Sequence, residues 1–259
     1  MGEPLRNDRF PRASTYDRDW IFELQMGPNA LWLMEWLCGD VDLRPGMRVL
    51  DMGCGMAMSS MFLAREYGVQ VWANDLWISA TDNWRRIREQ NLGDRVFPIH
   101  AEANALPYAE EFFDAIVTVD AYHYFGLTDD YLDRFARLVK PGGQIGIAVP
   151  GRTVDLPGAA KPAHLETWLA EEEGAWEMWQ SAAFWERHLG RCELVDVEIA
   201  DTLEDGWRDW VSFGELTLAA GEARPPGRAD LARKEVEAIR EDAGRTLGFV
   251  RAIVRRRSS

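Results

Sequence analysis

Met47-Arg-Val-Leu-Asp-Met-Gly-Cys-Gly-Met-Ala-Met-Ser-Ser60 decides the fold. A short apolar run ends in Asp51, glycines follow at 53 and 55, and a helix is expected over 57–67. That order is how an α/β sheet brings bare backbone up to a nucleotide at the C-terminal end of a parallel strand.

Downstream, strand and helix alternate. Residues 69–75 read as a second strand with an acidic end, and 79–91 as a helix with Trp84 and Ile87 inward. Residues 96–102 make a third strand and 112–120 a nearly continuous apolar fourth, as suits a parallel sheet covered on both faces. A helix over 128–139 stops at Lys140-Pro-Gly-Gly143, where proline and glycine forbid continuation, and 144–150 is the fifth strand. Five alternations define a doubly wound α/β class. Beyond them, 151–190 reads as helical cover, 192–200 as a sixth strand and 247–254 as the last. The insertion 202–246 holds Trp207, Trp210, Phe213, a Pro225-Pro-Gly227 break and an acidic helix to about 244.

Upstream, Leu43 to Gly46 is a launching turn. Apolar residues at helical spacing flank Gly27-Pro28, giving two helices joined at 26–29 within a helical cap over 1–40. The pair either packs on the sheet or forms a lid contributing Tyr16, Trp20 and Met26. Residues 1–18 are polar and rich in arginine and aspartate, and their first part is expected to fray. The 259 residues are expected to form a single domain, with 151–190 and 202–246 as variable substrate regions.

The chain is 47% apolar and carries a net charge of −14. Such acidity disfavours nucleic acid and anionic lipid as partners. Three scattered cysteines, Cys38, Cys54 and Cys192, show no zinc-ligand spacing, so reduced thiols, no metal and a cytoplasmic home are expected. A charged, proline-containing start and the lack of an 18-residue apolar run argue for a soluble protein.

Three details narrow the ligand. Asp51 would repel a pyrophosphate and attract a sulfonium or ammonium. Met58 stands where a third glycine would complete a dinucleotide loop, and no basic residue lies in the loop. A cationic adenosine ligand without phosphate is indicated. Asp75, at the second strand end, suits ribose hydroxyls; Leu76 and Trp77 suit the faces of an adenine, and Glu102 its amino group. Cys54 reads as a small packing residue rather than a nucleophile.

Val49-Leu-Asp-Met-Gly-Cys-Gly55, Asp75, Glu102 to Tyr108 with Phe113-Asp114, and Leu138-Val-Lys-Pro-Gly-Gly143 together resemble the class I S-adenosylmethionine-dependent methyltransferases, especially the branch acting on quinones and small molecules. The resemblance covers about 47–150. It implies a seven-stranded, mostly parallel sheet of order 3-2-1-4-5-7-6 with an antiparallel last strand, and S-adenosylmethionine as cofactor. It places the Gly53-Cys54-Gly55 backbone at the methionine part, Asp75 at the ribose, and Glu102 with Ala103 at the adenine, where the family commonly has aspartate instead of Glu102.

The loop after the fourth strand, Asp120-Ala-Tyr-His-Tyr124, resembles the family loop beside the methyl group. His123 is the candidate base or orienting group, with Tyr122 and Tyr124 as pocket wall or hydrogen-bond donors, and packing on the sheet is the other reading of His123. Asp120 is assigned to the cofactor's amino group. His100 reads as structural, and nothing in their spacing selects His164 or His188. Tryptophans 168, 176, 179, 185, 207 and 210 are core, or an aromatic pocket for a flat or cationic acceptor. The function expected is methyl transfer to O, N or C of a small molecule. Alternatives are other cofactor-dependent chemistry such as a cyclase, an NAD-dependent oxidoreductase, and a non-catalytic sensor. The acceptor and the oligomeric state are not encoded in these patterns.

Overall fold

The computed structural model describes residues 3–155, 161–172, 174–221 and 229–258. Their centre is one seven-stranded sheet of order 3-2-1-4-5-7-6. The strands are β1 (Arg48–Met52), β2 (Gln70–Asp75), β3 (Val96–His100), β4 (Phe113–Val119), β5 (Val139–Arg152), β6 (Val195–Thr202) and β7 (Leu247–Arg256). β1 to β5 pair in parallel, and β7 runs antiparallel between β5 and β6. The expected class and strand order are those observed.

Strand alternation divides the core in two. Val49, Val71, Val117 and Ala148 belong to one buried cluster and Leu50, Ile116, Ile147 and Val149 to the other. The first face receives α2 (Ala30–Cys38), α3 (Met58–Glu66) and α4 (Ala80–Glu89). α5 (Tyr131–Arg137) and α8 (Ala182–Leu189) cover the second. α1 (Arg18–Leu24), α6 (Ala163–Leu169), α7 (Ala175–Met178), α9 (Gly206–Ala219) and α10 (Ala229–Asp242) extend the first cluster above β7.

Local chemistry starts these helices where short polar side chains accept orphan N–H groups. Asp17 caps α1 and Asn29 caps α2, each accepting from two backbone N–H groups, while Ser79 caps α4 by accepting from Asp82 N; each such cap is worth about 1 kcal/mol. The 26–29 junction is therefore flanked by two fixed helices. Asp242, fully buried, joins three elements: it accepts from Thr246 N and Leu247 N and pairs with His164 Nε2 at 2.8 Å.

Four details differ from expectation. Trp84 is exposed and lies across Gly93, while Asn83 takes the inward place. Lys140 to Gly143 do not merely end a helix: Val139 pairs with Phe113 and Gln144 with Ala115, so the four residues bulge from β5. Glu102 lies two residues past β3 and precedes a short 3-10 turn over Ala103–Ala105. His100 closes β3 exposed, bonded to Leu76 O at 2.8 Å. The Pro225-Pro-Gly227 break lies outside the described residues. No described helix is long and apolar enough to cross a membrane.

Candidate functional site

The loop after β1 turns on two left-handed glycines, Gly53 at φ +77° and Gly55 at φ +54°, followed by Ala57 at φ +63° before α3. Its geometry is fixed from behind. Gly53 N and Cys54 N donate to Asn74 O, Gly55 N donates to Asp75 Oδ2 at 2.8 Å, and Asn83 Nδ2 donates to Gly55 O at 2.9 Å. The inward asparagine of α4 thus replaces a packing residue with a support for the loop. Its signal in the sequence is its place four residues before Ile87, on the buried side of the helix.

A cavity of about 290 Å³ opens above this loop at the C-terminal ends of the strands, the place where open α/β sheets hold ligands. Gly53, Cys54, Gly55, Met58, Asp75, Leu76, Trp77, Glu102, Ala103 and Asp120 all line it, as does Tyr124. Among the described lining residues are three carboxylates and no lysine, arginine or histidine.

Asp75 is buried and anchors two walls at once. Its Oδ2 takes Gly55 N, and its Oδ1 takes Trp77 N at 2.7 Å and Ile78 N at 2.9 Å. An ionised carboxylate offers about four acceptor positions, so roughly one remains for a ligand hydroxyl. Beside it Leu76 and Trp77 are exposed, Trp77 at 68%, and Trp77 meets the Tyr124 ring edge to face at 5.6 Å. An exposed indole beside a polar anchor is a surface on which a flat base can stack.

Three of the expected site residues lie outside the cavity lining. Asp51 does not line the cavity; it is buried behind the loop, where Ser59 and Ser60 hydroxyls both donate to its Oδ2 at 2.6 Å. Desolvation pushes its carboxyl up to about 6, opposed by the two serine bonds and assisted by the Asp75 charge. Its direct bond is to the start of α3, because strand alternation turns its side chain into the helix layer.

Tyr122 and His123 are also outside the lining. Both are buried in a 3-10 turn over Tyr122–Tyr124. Tyr122 packs among Phe125, Tyr131, Phe135 and Trp185. His123 lies against Tyr124 with ring centroids 4.2 Å apart, and burial lowers its pKa to about 4, so it is neutral at pH 7. Its Nδ1 has no hydrogen-bond partner among the described residues. Tyr124 alone of the three lines the cavity, its phenol raised to about 12 by burial and by the charges of Asp120 and Glu172.

The six cover tryptophans do not line the cavity either. Trp168, Trp179, Trp210 and Phe249 pack ring to ring, and Trp185 sits in the core of the other face. Trp207 lies under Gly244. Aromatic count alone did not distinguish these roles, because a tryptophan buries in either. His188, by contrast, supports the site's rim by pairing with Gly126 O at 2.9 Å. The strap between α1 and α2 is one of two options in the sequence: Met26, Gly27 and Pro28 line the cavity, whereas Tyr16 and Trp20 do not.

Asp120 follows β4 in a left-handed conformation, φ +53°, its N–H held by Ala148 O at 2.8 Å. Desolvation pushes its carboxyl up to about 7, with a contribution from Glu235 on α10. Glu235 is likewise raised to about 7 by desolvation; the Trp210 Nε1 bond opposes this and the Glu172 charge adds to it. In the unfolded chain these acids titrate near about 4. Between pH 4 and 7 the folded state retains protons that the unfolded state has released, so this contribution to stability is lost as pH rises. The thermal midpoint of the ligand-free protein should fall between pH 5.5 and 8 in the Asp120→Asn and Glu235→Gln single variants less than in the parent. An equal fall in all three would contradict it.

Residues 49–143 match a family model described as a methyltransferase domain. The methyltransferase GfsG of Streptomyces halstedii is 33% identical over 117 residues, 45% of this chain and 42% of that protein. A fatty-acid O-methyltransferase of Mycolicibacterium smegmatis is 32% identical over 183 residues, 69% of this chain and 64% of the relative. The chain thus spans less than two thirds of these relatives. In fold it is similar to Haemonchus contortus phosphoethanolamine N-methyltransferase 2 in complex with S-adenosyl-L-methionine, with TM-score 0.74 and 17% identity over 93% of this chain and 56% of that one. It is also similar to the (4+2)-cyclase SpnF, with TM-score 0.68 and 19% identity over 88% of this chain and 81% of that one.

Proposed function

We propose, from a chain whose residues 49–143 match a methyltransferase domain, that the protein transfers a methyl group from S-adenosylmethionine to an O, N or C atom of a small molecule. The observation that carries this reading is a glycine-walled cavity with Asp75, Glu102 and Asp120 and no cation among its described lining residues. That donor set suits a ligand bearing a sulfonium and an ammonium, and it opposes a pyrophosphate.

When bound, the cofactor supplies an electrophilic methyl group for in-line displacement. The chain's residues bind and orient. Asp75 holds the ribose with its remaining acceptor capacity, Leu76 and Trp77 face the base, and Glu102 with Ala103 lies at its amino edge. Gly53 to Gly55 brings backbone close to the methionine part, with Met58 beside it and Asp51 bracing the loop through Ser59 and Ser60. Asp120 takes the ammonium. Alignment of acceptor and methyl group supplies most of the rate, worth several kcal/mol by the effective-molarity argument, about 7–11 at the limit. Tyr124 is the donor that reaches the cavity, protonated at working pH. His123, neutral and one residue removed from the wall, acts through Tyr124's position.

The similarity in fold to SpnF, a (4+2)-cyclase, keeps one second reading: the same cofactor site serving chemistry without methyl transfer. Incubation with methyl-labelled cofactor and a panel of phenols, amines and carboxylic acids separates the two. Methyl transfer yields S-adenosylhomocysteine and labelled product one for one. A product of unchanged mass, with the cofactor intact, would favour the second reading.

A further inference from the structure

Three chain segments meet at the methionine end of the cavity, and each meeting is made at a glycine. The loop after β1 touches the loop after β4 where a Cβ on Gly53 would stand 2.3 Å from Ala121 Cβ. The strap touches the β1 loop where a Cβ on Gly55 would stand 2.9 Å from Met26 Sδ. The strap meets the β4 loop where a Cβ on Gly27 would stand 2.3 Å from Asp120 Oδ2.

Gly27 differs from the other two glycines. Gly53 and Gly55 have positive φ, and Gly27 does not. Its backbone therefore does not itself call for glycine, and only the Asp120 carboxylate stands in the way of a side chain. That carboxylate has no hydrogen-bond or ion-pair partner among the described residues, and it stands on a left-handed aspartate, a conformation that non-glycine residues adopt at a cost. Steric contact with the strap is what limits where it can point. The strap itself is held between the Asp17-capped α1 and the Asn29-capped α2.

We infer that Gly27 is a positioning residue: its missing side chain lets the strap close on Asp120 and fixes that carboxylate toward the cofactor's ammonium. This rests on the cofactor reading above. Ordinary contact begins at 3.4 Å, so an alanine at 27 drives Oδ2 back from 2.3 Å by about 1.1 Å. Hydrogen bonds weaken steeply over such a displacement.

The test is calorimetric titration of the full chain with S-adenosylhomocysteine and with 5′-methylthioadenosine, which lacks the amino acid part. Gly27→Ala should weaken S-adenosylhomocysteine at least about tenfold and leave methylthioadenosine within about twofold, at an unchanged melting temperature. Asp120→Glu, pressing on Gly27 from the other side, should give the same selective loss. In an Asp120→Ser background, which removes the clash and the charge, Gly27→Ala should cost nothing further. Equal losses for both ligands, full retention of S-adenosylhomocysteine binding, or additive losses in the double variant would each overturn the inference. If the parent chain binds neither ligand, the cofactor reading fails first and the inference with it.

Discussion

Asp75→Ala is expected to weaken S-adenosylhomocysteine binding at least about 100-fold, the largest loss from any single side chain in the cavity. Asp75 makes three bonds to backbone N–H groups, one from the glycine loop at Gly55 and two from the ledge at Trp77 and Ile78. A hydrogen bond to a charged group contributes about 1.5–3 kcal/mol, and about 1.4 kcal/mol is a factor of ten in affinity. Truncation frees both walls and removes the proposed ribose acceptor together. Asp75→Asn should fall between: its carbonyl still accepts from Trp77 and Ile78, but its amide opposes Gly55 N–H donor to donor. Titration alongside circular dichroism reads this. Unchanged affinity in the alanine variant would remove Asp75 from the ligand site.

Gly53→Ala is expected to combine loss of binding with loss of stability. A methyl group there meets Ala121 Cβ at 2.3 Å, and φ +77° is unfavourable for an L side chain. The left-handed backbone costs about 1–2 kcal/mol and overpacking about 1–3 kcal/mol. At about 2–4 °C per kcal/mol for a chain of this size, the melting temperature should drop by roughly 4–20 °C, with ligand binding below detection. A variant that melts with the parent and binds normally would show that the close approach of the β1 and β4 loops is not required.

Which features could be read from sequence follows from where their cause lies. The alternation of strands and helices and the glycine loop rest on local signals, whereas the strand order is what the family resemblance implies, and Asp75 is legible because its position at the end of β2 alone places it at the cavity. Asp51 has the same kind of signal and a different place, since one step of strand alternation turns its carboxyl to Ser59 and Ser60. Trp84 and Asn83 exchange places because the loop at Gly55 needs a donor more than the core needs an indole. Periodicity carries no information about that need. Tyr122 and His123 fall in a 3-10 turn, where neither a two-residue nor a 3.6-residue period sorts inside from outside. The strap reaches the site through contacts between residues 27 and 120, a separation that no local pattern spans.

The described lining of the cavity is thus mostly backbone, apolar side chains and carboxylates, and the cover acts on it at one remove, through Glu235 of α10 near Asp120 and Glu172, which follows α6, near Tyr124.

The most direct measurement is a calorimetric titration of the purified chain with S-adenosylhomocysteine and, separately, with NAD. The account predicts one-to-one binding of S-adenosylhomocysteine and no heat of binding with NAD; saturable NAD binding with none for S-adenosylhomocysteine would contradict it.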